Sequence, residues 1–133
     1  DTDGCLRCHF DSPATSGAAL SIVGLPKEPE PGQSYLLTLV LTDPALVNAG
    51  FMLSVSAGTL DPADERTEAI GQQARSTRAG SSRTGEGRAE WQLNWRAPAT
   101  LPLPLRFDLW GNAGNDDLSP FGDTIHHRTW RIP

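Results

Sequence analysis

The sequence lacks several features that define major protein classes. It has no apolar run long enough to cross a membrane, so we expect no transmembrane segment. Its 11 Lys and Arg residues are outnumbered by 16 Asp and Glu residues, which gives a formal net charge of -5. No basic stripe interrupts this acidic balance. The composition therefore excludes nucleic acid as a partner and argues against binding to an anionic membrane surface.

Recognisable catalytic motifs are also absent from the sequence. It has no Ser, His and acid arrangement in motif context, no carboxylate pair marked by its surroundings and no phosphate-binding glycine loop. We therefore expect a protein that is not an enzyme, with peroxidase-like activity left open. The 133 residues, 38% of them hydrophobic, are enough for one compact domain.

Cysteine is scarce, and its placement is the most informative feature of the sequence. The only two cysteines, Cys5 and Cys8, form the motif "CLRCH" with His9. Thiols at this spacing suit a disulfide, half of a zinc site or the attachment of haem. A structural zinc site needs four ligands in close-set pairs, and the remaining histidines, His126 and His127, lie a whole domain away. Adjacent residues on a strand point to opposite faces, so at most one of these two histidines could easily join a site built around Cys5 and Cys8. A zinc site is therefore disfavoured.

The order of residues in this motif favours covalently attached haem c. In C-x-x-C-H each thiol forms a thioether with the porphyrin, and the adjacent imidazole binds the iron. We predict one haem c per chain, held by Cys5 and Cys8, with His9 as the proximal iron ligand. Residues 1–16 would then be a haem-attachment segment and residues 17–133 the remaining domain. A disulfide between the two cysteines is the alternative interpretation.

Three residues are candidates for the distal ligand of this iron. His126 and His127 are the only other histidines, and Met52 is the only methionine. On an unbroken strand His126 shares the core-facing parity of Trp130, whereas His127 points from the opposite face. A haem attached near the N-terminus would lie outside the domain core. We therefore predict His127 as the distal ligand, or failing that His126, with Met52 less favoured.

Apolar and polar residues alternate in most of the domain, which is typical of half-buried strands. No segment has helical periodicity. Six or seven short strands separated by turns predict an all-β fold, an antiparallel immunoglobulin-like β-sandwich with an N-terminal haem-binding segment. The predicted core-facing residues are Tyr35, Leu37, Leu39, Leu41, Phe51, Leu53, Val55, Trp91, Leu93, Trp95, Leu105, Phe107, Leu109, Trp130 and Ile132.

Residues 61–90 interrupt this alternation. Their sequence, "DPADERTEAIGQQARSTRAGSSRTGEGRAE", has few large apolar residues and many of Gly, Ser, Arg and Glu. This composition predicts a long surface loop with one short edge strand at most. A loop over a cofactor is the alternative. Four arginines are candidate partners for haem propionates, although solvated surface charge is the expected role of most: Arg75, Arg78, Arg83 and Arg88.

Four segments resemble successive strands of the reeler-like family of secreted bacterial domains, also called choice-of-anchor V. They are "EPGQSYLLTLVLTD", "AGFMLSVSAGTLDP", "AEWQLNWRAP" and "RFDLWGNAGNDDLSPFGDTI". The family is similar to an immunoglobulin sandwich, and many members begin with a short Cys-x-x-Cys-His segment. The resemblance extends from Gly4 to about Trp130. Many members have a histidine where Arg78 stands here, so the resemblance supplies no axial ligand from that loop.

These observations predict a monohaem c-type cytochrome on a β-sandwich scaffold. It would act in electron transfer with a redox partner protein, as a carrier or as a subunit of a larger exported assembly that includes other cytochromes. Haem attachment through thioethers implies a periplasmic or extracellular location, with the export signal removed. The alternative is a non-redox extracellular adhesion or interaction module whose Cys5 and Cys8 form a disulfide.

Overall fold

The computed structural model describes residues 19–114 and 124–133. These residues form nine strands and one turn of 3-10 helix, and every strand pairing is antiparallel. The strands are β1 (Leu20–Val23), β2 (Ser34–Thr42), β3 (Asn48–Val55), β4 (Thr59–Pro62), β5 (Thr67–Ile70), β6 (Gln73–Ser76), β7 (Arg88–Arg96), β8 (Leu105–Gly114) and β9 (Thr124–Ile132), with the 3-10 turn at Ala79–Ser81. The predicted all-β sandwich is confirmed.

Two sheets form the layers of the sandwich. One has four strands in the order β1-β2-β7-β4, and the other has five in the order β5-β6-β3-β8-β9. The longest registers pair β2 with β7, from Ser34↔Arg96 to Thr42↔Arg88, and β8 with β9, from Leu105↔Ile132 to Ala113↔Thr124. The last strand, β9, is therefore an edge strand of the five-stranded sheet. No helix within the described residues is long and apolar enough to span a membrane.

The core lies between the sheets and uses the alternating residues that the sequence pattern indicates. On β7, Trp91, Leu93 and Trp95 are 1%, 0% and 0% exposed. Trp95 meets Phe107 of the opposite sheet edge to face, with 5.0 Å between ring centroids. Trp91 contacts Phe51, also of the opposite sheet, with 4.9 Å between ring centroids and planes inclined by 51°. Because offset and edge-on aromatic pairs are favourable beyond the area they bury, these contacts hold the two layers in one arrangement.

Both core tryptophans also satisfy their indole N–H groups. Trp91 Nε1 donates to the carbonyl of Gly80 at 2.8 Å, and Trp95 Nε1 donates to the carbonyl of Ala57 at 3.0 Å. A buried polar group without a partner costs free energy, so these bonds allow large aromatic side chains in a dry core. They also connect β7 to two segments that precede it in sequence.

The prediction of a long surface loop at residues 61–90 is wrong. The segment contains the end of β4, the β5–β6 hairpin, the 3-10 turn and the start of β7. The alternation rule missed these strands because each has four residues with a mostly polar outer face, which leaves too few apolar positions to reveal a period of two. The same three short strands raise the number from the expected six or seven to nine.

Arg66 organises this middle segment. Its guanidinium donates to the carbonyl of Ser82 at 2.9 Å, to that of Ala79 at 3.3 Å and to that of Glu90 at 3.3 Å. Gly80 lies so close to Arg66 that a Cβ at that position would be 2.1 Å from the Arg66 carbonyl oxygen. Arg66 therefore joins the 3-10 turn and β7 through charge-assisted hydrogen bonds, in a segment that has few large apolar side chains.

Candidate interaction surface

The outer face of the five-stranded sheet presents one row of cross-strand partners that spans all five strands. Along this row Glu68 pairs with Arg75, Arg75 with Met52, Met52 with Trp110, and Trp110 with His127. We call these five residues the outer row. Directly paired residues of an antiparallel sheet point to the same side, so the outer row forms one continuous strip opposite the core. Its two ends differ in exposure and in chemistry.

The β5–β6 end of the outer row borders a groove of about 410 Å³. We call it the hairpin groove. Its walls combine apolar side chains with the ion pair between Glu68 and Arg75, both of which are more than half exposed. The residues that line it are Met52, Glu68, Ala69, Ile70, Gln73, Ala74 and Arg75.

Ile70 is the most exposed large hydrophobic residue of the described chain, at 89%. The turn that follows it is held from two sides. The amide of Leu60 donates to the Gly71 carbonyl at 2.8 Å, and the amide of Val55 donates to the Gln72 carbonyl at 3.0 Å. Gly71 itself has φ of 60°, a left-handed conformation that favours glycine. The apolar side chain of Ile70 is therefore displayed by a backbone that other strands fix in place.

The β8–β9 end of the same face is a polar network centred on Asp108. Its Oδ1 accepts from Thr129 Oγ1 at 2.6 Å and lies 3.3 Å from His127 Nε2. Its Oδ2 lies 2.9 Å from Arg106 Nε. Asp108 is 8% exposed. We call Arg106, Asp108, Trp110, His127 and Thr129 the outer cluster.

Two opposing influences act on the pKa of Asp108. Burial alone would raise it, because a carboxylate loses solvation there. The hydrogen bond from Thr129, the hydrogen bond and charge of Arg106, and the bond to His127 favour the ionised form and outweigh burial. The pKa of Asp108 is therefore below its ordinary value, and the outer cluster is organised around a carboxylate anion.

Trp110 is the largest member of the outer cluster and is 1% exposed. Its ring stacks on the His127 imidazole, with centroids 4.6 Å apart and planes inclined by 14°. Its Nε1 is buried without a hydrogen-bond partner, unlike those of Trp91 and Trp95. Such a group carries a desolvation cost that a nearby acceptor would offset.

His126 lies on the other face of β9 from His127, as the alternation of a strand requires. It is 6% exposed, and its Nε2 lies 3.0 Å from Asp43 Oδ2 in the turn after β2. Asp43 Oδ1 in turn accepts from the amide of Ala45 at 3.0 Å. The pair thus ties the start of β9 to the β2–β3 turn, which is a structural role.

The structure does not bring the predicted iron-ligand candidates together. His126 and His127 face opposite sides of β9 and each contacts a carboxylate, while Met52 lines the hairpin groove. Cys5, Cys8 and His9 lie outside the described residues, so the roles predicted for them stay predictions. Within residues 19–114 and 124–133, no group of three or more His, Cys, Asp or Glu residues is placed to hold a metal ion.

Sequence reasoning missed the residues that characterise this face. Trp110 follows the core residue Leu109 directly, and an apolar residue at an outward position was the available signal for a second buried layer. In the pattern "RFDLW", Asp108 occupies an outward position, where a charged side chain is expected to be solvated. Its network depends on Thr129 and His127, which only the β8–β9 register brings beside it. Arg75, a candidate propionate partner for which solvated surface charge was the expected role, is exposed and pairs with Glu68.

The fold is that of a reeler domain. The chain is similar to the Reelin-N domain of F-spondin with a TM-score of 0.62 and 21% identity, over 96% of each chain. Two structures of the human F-spondin reeler domain give TM-scores of 0.58 and 0.54 at 18% and 22% identity, covering 92% and 93% of this chain and 96% of each of theirs. No protein-family model matches the sequence, and no curated protein matches it significantly.

The electron-transfer interpretation is contradicted by these findings. Three structures that share the fold over nearly the whole chain are reeler domains, and the described residues contain no group of three or more His, Cys, Asp or Glu placed to hold a metal ion. The prediction of a monohaem c-type cytochrome is therefore wrong, together with the assignments to electron transport and iron binding that followed from it. The alternative, a non-redox extracellular module, agrees better with the fold.

Proposed function

We propose that the chain is a non-redox extracellular interaction module. The β-sandwich is its rigid scaffold, and the hairpin groove is its binding surface. A reeler-like fold supports this proposal, since sandwich domains commonly carry binding surfaces on a stable core. The exported location predicted from the sequence is part of the same proposal. Its partner is a protein that has an apolar pocket for Ile70. The partner also has polar groups that contact Glu68 and Arg75 beside it.

The observation that carries this proposal is that Ile70 is exposed next to a turn whose backbone is held in place by hydrogen bonds. Binding energy at interfaces is concentrated in a few anchor residues that enter pockets on the partner. An anchor on a preformed backbone loses little conformational entropy on binding, because its ordering cost is already met in the free protein. Ile70 is 89% exposed, and hydrogen bonds from Leu60 and Val55 fix the turn that follows it. Glu68 and Arg75 add a charged rim that excludes water from such a contact.

Retention of the labelled protein on the outer surface of its producing cells tests the binding surface. Ile70→Asp should lower retention by roughly thirtyfold, which corresponds to about 2 kcal/mol for an anchor residue. Leu36→Asp is the matched control, because Leu36 is 52% exposed on the outer face of the other sheet. Equal losses in both variants, or no retention of the unsubstituted protein, would contradict the proposal.

The two cysteines test the non-redox part of the proposal separately. In this account Cys5 and Cys8 form a disulfide after export, whereas attached haem c would consume both thiols as thioethers. Intact mass of the exported protein should be two hydrogen atoms below that of the reduced chain. Cys5→Ser should abolish this difference without changing retention on cells. A mass increase equal to one haem would overturn the proposal.

A further inference from the structure

The two sheets of the described chain have four edge strands, and one of them differs from the others. Three of the edge strands, β1, β4 and β5, have four residues each. Each of these three is contacted from the side. The Leu60 amide of β4 donates to the Gly71 carbonyl after β5 at 2.8 Å, and the Leu20 carbonyl of β1 accepts from Arg128 Nη1 at 2.8 Å. The fourth edge strand, β9, has nine residues.

The backbone groups of alternate β9 residues point to its free edge. The amide of Ser56 donates to the Arg106 carbonyl at 2.9 Å, so the even-numbered residues of β8 bond to β3. The odd-numbered residues of β8 therefore bond to β9, where the register pairs them with even-numbered residues. The N–H and C=O groups of His127, Thr129 and Arg131 are left facing away from the sheet. Within residues 19–114 and 124–133 these backbone groups have no hydrogen-bond partner.

The same stretch of β9 is open to solvent. Arg128, Thr129 and Arg131 are exposed, and His127 and Trp130 are half-buried. We call residues 127–131 the open edge. A row of exposed, unpaired N–H and C=O groups is a template for pairing with a further strand.

We propose that two copies of this chain pair antiparallel along the open edge, with Thr129 opposite Thr129 of the second copy. The two five-stranded sheets then join into one continuous sheet. The three residues of each copy whose backbone faces outward all lie in hydrogen-bonded pairs, so about six backbone hydrogen bonds form between the copies. The contact uses the same surface on both copies, which is the commonest symmetry of soluble oligomers.

The side chains favour this register. At its centre is a Thr–Thr pair, which is favourable across strands. Arg128 lies opposite Trp130 of the second copy, and a guanidinium beside an indole is attracted to the ring face. The Arg128 guanidinium already lies 4.8 Å from the ring centroid of its own Trp130. On the outer face Arg131 lies opposite His127 of the second copy, whose imidazole is 3.3 Å from the ionised Asp108. Each arginine therefore faces an aromatic ring or an anionic cluster.

Neighbouring registers lack these contacts. A pair centred on Arg128 or on Arg131 places two guanidinium groups directly opposite each other, and like charges in that position are destabilising. A pair centred on Trp130 places His127 opposite Pro133, which has no N–H to donate. A pair centred on His127 extends along the edge to Ile125, which is 0% exposed.

This inference is independent of the proposed binding surface. The hairpin groove lies at β5 and β6, at the opposite edge of the same sheet from β9. A dimer joined at β9 leaves both grooves free, one at each end of the joined sheet.

Sedimentation equilibrium of the full chain at concentrations up to about 1 mM tests the dimer, because this range detects even weak association. The unsubstituted chain should show a monomer–dimer equilibrium. Arg131→Pro should raise the dimer dissociation constant by at least about tenfold, since the two-fold symmetry removes two hydrogen bonds. The Arg131 N–H faces the free edge and makes no bond in the sheet, so the fold tolerates proline there.

Arg131→Ala is the matched control, because it removes the same side chain and keeps the N–H. It should change the dimer dissociation constant by less than about threefold. An unsubstituted chain that stays monomeric, or equal effects of the two substitutions, would overturn the proposal.

Nuclear Overhauser contacts between copies test the register without any substitution. In a mixture of isotopically labelled and unlabelled full chains, the Hα of Arg128 should contact the Hα of Trp130 in the other copy. The reason is that directly opposite residues of a non-hydrogen-bonded pair have Cα atoms about 4.5 Å apart. A dimer without this contact would show that the copies associate through another surface, and the proposal would be wrong.

Discussion

The outer face of the five-stranded sheet at β8–β9 differs from the outer face of the four-stranded sheet in how it exposes apolar side chains. On the four-stranded sheet, Val23 and Leu36 are 59% and 52% exposed. On the five-stranded sheet, Trp110 and Ile125 are buried although they too point away from the core. Val40, on the four-stranded sheet, is also buried, but its strand has neighbours on both sides and its side chain is small.

This difference separates what a two-layer sandwich explains from what it does not. Burial between the sheets follows from the alternating pattern of each strand. That pattern does not explain why Ile125, on the outer side of the edge strand β9, is buried. The five-stranded sheet is therefore specialised on its outer face, with an exposed groove at β5–β6 and a covered cluster at β8–β9. The other sheet has a more ordinary exposed surface, on which scattered apolar side chains are normal.

The largest expected effect lies in the layer that both sheets share. Trp95 is 0% exposed, donates to the Ala57 carbonyl and contacts Phe107. Trp95→Ala should lower the free energy of unfolding by about 3–5 kcal/mol, through lost burial and a cavity. Gln92→Ala, on the exposed face of the same strand, should change it by less than about 0.5 kcal/mol. Denaturant unfolding of both variants measures this, and equal losses would show that the facing of β7 is wrong.

A smaller but sharper effect distinguishes the two outer faces. Ile125→Ala should destabilise the protein by about 2–5 kcal/mol, as buried isoleucines do. Leu36→Ala should cost less than about 0.5 kcal/mol, because its side chain is already half in solvent. Chemical denaturation of the pair gives the comparison directly. If both variants unfolded at the same denaturant concentration, the outer face at β9 would not be a packed surface.

Loss of the indole N–H should also have different effects at Trp91, between the sheets, and at Trp110, on the outer face. Trp91→Phe removes the 2.8 Å hydrogen bond to the buried Gly80 carbonyl, which keeps only its 3.5 Å bond from Arg66 Nη2, at a cost of about 1 kcal/mol. Trp110→Phe removes a donor that has no partner, so it should cost less than Trp91→Phe. Thermal unfolding of the two variants tests the order, and the reverse order would mean that Trp110 Nε1 is bonded.

The smallest effect is the pH dependence contributed by Asp108. Its pKa in the folded protein is below the ordinary value of 3.8, so its stabilisation is present above that value and is lost as pH falls through the folded pKa. Asp108→Asn should therefore be less stable than the unsubstituted protein near neutral pH, with the gap narrowing in acid. Melting temperatures between neutral pH and acid measure it. A gap that widened on acidification would contradict the network around Asp108.

The sequence predicted the strands in which apolar and polar residues alternate with a period of two. Strands with five or more alternating positions, such as β2 and β7, have their core residues where the period of two places them. The facing of His126 and His127 followed from the same rule. The short strands β4, β5 and β6 escaped it because their placement depends on strand pairing and, around β5 and β6, on the contacts of Arg66 and Gly80, which join distant parts of the chain.

The candidate surface was much less predictable. The motif of Cys5, Cys8 and His9 dominated the functional interpretation because its spacing matches a known chemistry, yet a motif gives a hypothesis whose context must agree. Ile70 carries no motif, and its importance rests on exposure and on hydrogen bonds to the turn beside it. Asp108 and His127 are 19 residues apart and meet only through the β8–β9 pairing. Such relations arise from the register between β8 and β9, which neither strand reveals on its own.

The central claim, that this reeler-like sandwich is a non-redox module, is tested most directly by the visible absorption spectrum. The spectrum should be recorded on protein exported by cells that carry the machinery for thioether attachment of haem, before and after addition of a reductant. A non-redox module should be colourless, without a haem band in either state. An intense haem band that shifts on reduction, and that stays with the chain after denaturation, would contradict it.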